Sequence, residues 1–162
     1  MTDCQTGPGR WMQWLRRCLG CVAALSLLMP AAAQAAALAG PDARAVRQVV
    51  EAQLEAFAAG DAERAFSYAS ASIQAQFGDA NNFLAMVRRG YPMVVGPSAV
   101  SFFQAQVQGG TERPQMPVRQ AVQVRDRDGR LWMATYLLER QAGAGWRISG
   151  CMVVAVSAKA LT

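Results

Sequence analysis

The stretch that decides the fold class is residues 118–141, which read VRQAVQVRDRDGRLWMATYLLERQ. Its beginning alternates apolar and polar residues, with Val122 and Val124 predicted to point inward, as in a half-buried strand. Asp126-Arg127-Asp128-Gly129 then predicts a hairpin turn, because Asp-Gly readily takes the positive φ angles that such turns need. A further strand is predicted from Leu131 to Gln141, so the stretch is a β-hairpin of an antiparallel sheet.

The strand that begins at Leu131 and the strand that follows it are apolar on both faces. One face of an antiparallel sheet normally meets water. We therefore expect both faces to be covered here, one by helices and the other by a pocket lining or a second subunit. The two sets are Leu131, Met133 and Leu137 on one side, and Trp132, Ala134, Tyr136 and Leu138 on the other.

Two more strands complete the predicted sheet. Phe103, Ala105 and Val107 alternate with glutamines, which predicts a half-buried strand that ends before a loop at 109–117. Residues 146–156 predict the last strand of the meander. The sheet therefore has four strands or more.

The residues before the sheet have the helical period. Asp42 is predicted to cap a first helix, whose apolar stripe is Val46, Val49, Val50, Leu54 and Phe57. Gly60 is expected to end that helix, and Asp61 and Asp79 to cap later ones. Helices followed by a meander predict an α+β fold, with N-terminal helices packed on a strongly curved antiparallel sheet.

The N-terminus is typical of a secretory signal peptide at residues 1–35. Arg16 and Arg17 precede an apolar stretch from Cys18 to Met29, and Ala33-Gln34-Ala35 is a cleavage site of small residues. The signal predicts a periplasmic or secreted protein. Membrane contact is expected only through this segment before cleavage.

Several alternatives to this interpretation stay open. Translation could begin at Met12, which gives a more conventional start to the signal. The segment could also be an uncleaved anchor, a twin-arginine signal at Arg16-Arg17, or a lipoprotein signal at Leu19-Gly20-Cys21. After residue 35 the sequence predicts a short linker at 36–41, one domain at 42–158 and a tail at 159–162.

Composition excludes several kinds of site. The chain has no histidine, which excludes Ser-His-Asp and Cys-His nucleophiles and imidazole acid–base catalysis. Cys151 is the one cysteine after residue 35, so neither a disulfide within the exported domain nor a tetrahedral metal site is expected. The net charge is +5, but the basic residues are scattered, and nucleic-acid binding is not expected. We interpret Cys151 itself as a small buried hydrophobe.

Three stretches carry a family resemblance: residues 50–57 with Asp61, residues 77–91, and residues 128–151. The most specific piece is Met86-Val87-Arg88-Arg89-Gly90-Tyr91. Together they resemble a bacterial family catalogued as domain of unknown function 4864. The order of elements and the Gly60-Asp61 junction also resemble the nuclear-transport-factor-2-like (NTF2-like, or SnoaL/cystatin-like cone) superfamily. That resemblance implies helices that close a bent sheet into a cavity, and it implies no activity.

The candidate ligand-binding residues are aromatic and charged side chains that the predicted cavity could contain. Arg88 is a candidate for holding an anionic group, and Glu139 for a polar anchor or a general base. We assign no catalytic residue, no metal and no cofactor. The full set is Arg88, Tyr91, Trp132, Tyr136, Glu139 and Trp146.

Three functional hypotheses follow. The first is a non-enzymatic domain that binds a small apolar or anionic ligand or another protein, with homodimerisation through the sheet face. The second is a cofactor-free isomerase or dehydratase that uses Glu139 and a tyrosine. The third is a structural role in the cell envelope.

Overall fold

The sheet in the computed structural model is open, curved and antiparallel. The structure describes residues 36–108 and 117–157, so the predicted signal peptide, most of the 109–117 loop and the predicted tail lie outside the described residues. Within the described ranges six strands pair in the order β1-β3-β4-β5-β6, and β2 also pairs with β4. The strands are β1 (Ala36–Ala37), β2 (Ala99–Phe102), β3 (Gln106–Val107), β4 (Val118–Arg125), β5 (Leu131–Gln141) and β6 (Gly145–Ala155).

Helices precede the main strands, which confirms the predicted α+β class. They are α1 (Gly40–Ala59), α2 (Ala62–Ser67), α3 (Ala71–Phe77) and α4 (Ala80–Gly90), and a 3₁₀ turn follows at Pro92–Val94. None of the helices in the described ranges combines the length and apolarity that crossing a bilayer requires.

Local signals set most of the helix ends where the sequence predicts them. Gly60 ends α1 with a φ of 72°, a left-handed conformation that glycine adopts without a steric penalty. The Asp61 carboxylate accepts a hydrogen bond from the backbone N–H of Arg64 at 3.0 Å. Asp79 accepts one from the N–H of Asn82 at 2.8 Å. Each aspartate satisfies a donor that has no partner within its helix.

The start of α1 differs from the prediction. The helix begins at Gly40 after an extended Ala39, and Asp42 makes no cap. Its carboxylate instead pairs with Arg140 and accepts a hydrogen bond from the Trp146 indole at 3.4 Å. The predicted linker at 36–41 also contains structure, because β1 pairs with β3 and the helix has begun by residue 40.

The predicted strand at 103–107 is interrupted. β2 and β3 both pair with β4, and the chain leaves the ladder between them. The buried side chain of Gln120 bridges this gap by donating to the carbonyls of Phe103 at 2.7 Å and Ala121 at 2.9 Å. Because of the break, Phe103 is 50% exposed and not inward as predicted.

The inner face of the sheet forms the core. Side chains from α1, from β4 and from β5 belong to one buried cluster that the other helices complete. The fully buried members from β5 are Ala134, Tyr136 and Leu138, which the sequence placed on one side of that strand.

The outer face is not covered within the described part of a single chain. Leu137, Met152 and Val154 are 37%, 64% and 51% exposed. Leu137, Thr135 and Met133 alternate with the inward-facing residues of β5 and so point outward. Met152 and Val154 lie on the same face, because they pair directly with Thr135 and Met133. The expectation that both faces are hidden therefore holds for the inner face only, and the sheet-face homodimer stays a prediction.

Candidate functional site

An apolar pocket of about 290 Å³ lies between the inner face of the sheet and the helices. α1, α3 and α4 supply one wall, and β5 and β6 supply the other. The helical residues include Phe57, Ile73, Phe77, Phe83, Met86 and Val87, and the sheet residues include Tyr136, Ile148, Cys151 and Val153.

Aromatic packing gives the helical wall its shape. Phe83 on α4 contacts three phenyl rings, with centroid distances of 5.9 Å to Phe57, 5.4 Å to Phe66 and 5.5 Å to Phe77. Tilted and edge-on contacts at these distances favour a fixed arrangement of the rings. Because Phe57, Phe77 and Phe83 also line the pocket, the wall is built from side chains that the core already holds in place.

α3 is the least anchored part of this wall. It contains no fully buried residue. Its apolar side chains Ile73 and Phe77 are partly buried and line the pocket. The short helix is therefore the element over the pocket that can move at the smallest loss of buried area.

The polar side chains of the lining are few. Gln53 is buried on α1, and its amide nitrogen donates to the carbonyl of Ala65 at 3.1 Å. This bond leaves the carbonyl oxygen of the same amide available as an acceptor. Tyr136 is 1% exposed, and its hydroxyl has no hydrogen-bond partner within residues 36–108 and 117–157. A buried hydroxyl without a partner destabilises a fold by about 1–3 kcal/mol.

Tyr136 and Cys151 are direct cross-strand partners on β5 and β6. Burial raises the pKa of the Tyr136 phenol well above its ordinary value, and the charge and weak hydrogen-bonding capacity of the neighbouring Cys151 thiol add to this. The contact between the two groups does not reach the geometry of a hydrogen bond. The phenol is therefore uncharged at neutral pH and able to donate a hydrogen bond.

Cys151 is exposed, contrary to the interpretation that it is buried. It lies on an edge strand and lines the open pocket, so water can reach it from the pocket mouth. Protein atoms nevertheless surround the sulfur closely enough that burial raises the pKa of the thiol to about 12. A thiol with so high a pKa is a weak nucleophile at neutral pH.

The structure separates the six residues that the sequence proposed. Tyr91 and Tyr136 line the apolar pocket. Arg88 and Trp132 instead line a wider, more open cleft of about 550 Å³ beside the turn between β4 and β5.

The open cleft is organised by the turn. The Trp132 indole donates to the Asp126 carboxylate at 2.9 Å, and this hydrogen bond is the main reason that the pKa of Asp126 is lowered. Backbone N–H groups of Asp128 and Arg130 also donate to Asp126, each at 2.9 Å. Asp126 is thus a turn former, as the sequence predicts.

Trp146 and Glu139 lie outside both pockets described so far. Trp146 is buried against the start of α1, with the Arg140 guanidinium 5.0 Å from its ring centroid. Glu139 belongs to the outer-face set of β5, since Leu137 and Glu139 alternate with the inward-facing Leu138. Its carboxylate accepts a hydrogen bond from the Gln141 amide at 2.9 Å. Glu139 and Tyr136 are therefore on opposite faces of the sheet.

Sequence reasoning missed Gln53. The residue lies on the buried stripe of α1, three positions after Val50 and four before Phe57. A glutamine at an apolar position of an amphipathic helix was the available signal, because a buried amide needs a partner.

The chemistry of the pocket is that of a neutral, apolar site. Its lining contains no Asp, Glu, Lys or Arg among the described residues. No group of three potential metal ligands occurs in the described part of the chain either. What the arrangement offers a small molecule is apolar contact and one amide acceptor, because the hydroxyl oxygen of Tyr136 is closed to solvent.

We expect Tyr136→Phe to stabilise the protein by about 1 kcal/mol, because it removes a buried hydroxyl that lacks a partner. Urea unfolding followed by circular dichroism measures the change. Tyr91→Phe, at the partly exposed tyrosine of the same pocket, is the control and is expected to change stability by less than about 0.5 kcal/mol. A loss of stability in Tyr136→Phe would show that the Tyr136 hydroxyl makes a stabilising hydrogen bond.

We expect iodoacetamide to alkylate Cys151 about 30-fold more slowly in the native protein than in urea at pH 8. The pKa rises from 9.0 to about 12, and the greater nucleophilicity of a more basic thiolate offsets about half of the lost thiolate fraction. Mass spectrometry of the Cys151 peptide gives the rate. The native rate is expected to rise about tenfold for each pH unit up to pH 10, because a thiol of pKa about 12 is still mostly protonated there. A rate that rises only about twofold between pH 9 and pH 10 would show an unperturbed thiol.

The comparisons with known proteins show the family of the domain. A search of curated proteins finds no match to the chain. A family model described as "Domain of unknown function (DUF4864)" matches residues 39–161, a range that includes the four α-helices and the long strands of the described residues. The chain belongs to the DUF4864 family.

Proposed function

We propose that the domain binds a small, largely apolar molecule in the pocket between its helices and the inner face of its sheet. The observation that carries the proposal is the pocket itself, which holds about 290 Å³ of space where the core would otherwise be filled. Protein interiors are close-packed, and voids larger than a water molecule are few. An open apolar cavity lined by fixed aromatic rings is the usual form of a small-molecule site.

The volume limits the size of the ligand. An apolar cavity of about 150 Å³ accommodates one benzene ring. A pocket of about 290 Å³ therefore suits a molecule of two fused rings or a short branched chain. Larger molecules would need α3 to move outward.

The isomerase or dehydratase alternative is less well supported. It requires a carboxylate close to a tyrosine, but Glu139 faces away from the pocket and no other carboxylate lines it among the described residues. The thiol of Cys151, with a pKa of about 12, is a poor substitute as a base or nucleophile. Binding without catalysis is the reading that this set of side chains supports.

The cavity also supports placement in the NTF2-like superfamily as part of this proposal. Helices that close one face of a curved sheet around an apolar pocket are what that resemblance implies. The placement adds no residue role to those argued above.

We further propose that binding takes place outside the cytoplasm. The support is the sequence pattern of residues 1–35, in which Arg16 and Arg17 precede an apolar stretch and a small-residue cleavage site. A pocket without charged groups or a reactive thiol would function equally well in an oxidising compartment.

We expect Val153→Phe to weaken ligand binding at least tenfold, because Val153 lines the pocket and a larger side chain fills part of it. The probe is 1-naphthylamine, an uncharged fluorophore of two fused rings whose emission shifts to shorter wavelengths in apolar surroundings. Fluorescence titration of the wild-type chain and of the variant measures the change.

The adjacent Val154 provides a matched control on the same strand. It is 51% exposed on the outer face, so Val154→Phe adds the same atoms to the opposite side of the sheet. We expect the control to bind the probe like the wild type. An equal loss of probe affinity in both variants would indicate that the probe does not bind specifically in the pocket. If the wild-type chain does not bind the probe, the proposed pocket for small apolar molecules is refuted.

We expect the full-length chain to be processed after Ala35 when it is expressed in a Gram-negative host. Osmotic-shock fractionation and N-terminal sequencing measure this. Ala33→Leu with Ala35→Leu is expected to block processing, because the cleavage site needs small residues. Full-length protein in the cytosolic fraction would contradict export.

A further inference from the structure

The open cleft beside the β4–β5 turn differs from the apolar pocket because charged side chains line it. Its volume is about 550 Å³, and it lies between that turn and the segment that follows α4. Three arginines line the cleft against two aspartates, so positive charge is in excess and favours an anionic ligand. The charged residues of the lining are Arg88, Asp126, Arg127, Asp128 and Arg130.

Both aspartates of the cleft already have partners within the turn. Asp126 accepts hydrogen bonds from two backbone N–H groups and from the Trp132 indole. Asp128 lies 3.8 Å from Arg130, and these two side chains are 74% and 71% exposed. An ion pair this exposed contributes little free energy, so Arg130 can turn towards another anion at a small loss.

Arg127 is the cationic side chain that the fold holds in place. Its Nε donates to the carbonyl oxygen of Gly96 at 3.3 Å. The guanidinium lies so close to the Gly96 backbone that one terminal nitrogen would be 2.6 Å from a Cβ placed there. Only a glycine permits this contact, which leaves the N–H groups of the terminal nitrogens available to a ligand. An arginine that is already held in place loses less conformational entropy when it binds.

The remaining lining of the cleft provides apolar contact. Pro92, Met93 and Val95 come from the segment after α4, and Trp132 comes from the start of β5. Because the indole N–H of Trp132 is bonded to Asp126, the ring offers a ligand apolar surface rather than a donor. An anionic group attached to a flat apolar body matches both parts of this lining.

We propose that the cleft is a second binding site, for small aromatic carboxylates, in which Arg127 holds the charged group. A guanidinium can donate two parallel hydrogen bonds to a carboxylate, and the ring of the ligand packs against Trp132 and Met93. Arg88 adds positive charge from the α4 side and forms no salt bridge among the described residues. The cleft and the apolar pocket share no lining residue, so this site does not depend on the proposed function.

Two probes with the same fused rings test the proposal on the full chain. They are 1-naphthoate, which is anionic at pH 7.5, and its uncharged amide, 1-naphthamide, and isothermal titration measures their dissociation constants. We expect an increase in NaCl from about 0.05 M to about 0.5 M to weaken 1-naphthoate binding about threefold, because salt screens exposed charges. The affinity for the amide is expected to stay constant.

Substitutions locate the charged group of the probe. Arg127→Gln is expected to weaken 1-naphthoate binding at least tenfold, the effect of losing hydrogen bonds to a charged group, and to leave the amide unaffected. Gly96→Ala keeps every charge but displaces the guanidinium, and we expect it to weaken 1-naphthoate binding about fivefold. Arg89→Gln removes the same charge from an exposed residue of α4 outside the lining. This matched control is expected to bind 1-naphthoate like the wild type.

The outcomes separate this proposal from the proposed function. If 1-naphthoate does not bind the wild-type chain, or if Arg127→Gln and Arg89→Gln bind it equally well, the second site is refuted. Val153→Phe fills the apolar pocket and is expected to leave 1-naphthoate binding unchanged. Loss of 1-naphthoate binding in Val153→Phe would place the anion in the apolar pocket and refute the second site alone. If the wild-type chain binds 1-naphthoate but not 1-naphthylamine, the second site stands and the proposed function is wrong.

Discussion

The fold depends on the contact between the apolar stripe of α1 and the inner face of the sheet. Val46, Val50 and Phe57 from the helix are buried in one cluster with Tyr136 and other residues of the strands. An amphipathic helix and a one-sided sheet each need such a partner, because neither can bury its apolar face alone. The remaining helices extend this contact only partway along β5 and β6, and the pocket is the space that they do not fill.

Curvature of the sheet makes that space possible. Between β2 and β3 the chain has one residue more than β4 opposite it, because Phe102 pairs with Val122 and Gln106 with Arg119. An extra residue of this kind bends a strand and increases its twist. Gln120 stabilises the break by donating to the carbonyls of Phe103 and Ala121, and the Phe103 N–H also donates to Ala121 at 3.0 Å. A straight strand there would keep Phe103 in the sheet and would bring the inner face closer to flat.

The sequence predicted the features that depend on residues close together in the chain, such as caps and turns. The predictions were wrong where a contact with a distant residue determines the position of a side chain. The caps at Asp61 and Asp79 and the hairpin turn at Asp126 are local hydrogen-bond patterns, and all of them are confirmed. Asp42 was assigned a cap by the same rule, but it binds Arg140, which is 98 residues away. Within the candidate site Tyr91 and Tyr136 were found and Gln53 was not. The candidate residues were chosen without knowledge of where the fold would place them. Trp132, Trp146 and Glu139 were therefore grouped with Tyr91 and Tyr136, from which the fold separates them.

Tyr136 connects stability to the proposed function. A phenylalanine at this position would satisfy the core, since the hydroxyl contributes no hydrogen bond among the described residues. The ring is buried at the pocket and the phenol stays protonated because burial raises its pKa. The hydroxyl oxygen is closed to solvent, so a molecule in the pocket meets the ring of Tyr136 and reaches its donor only if the lining moves.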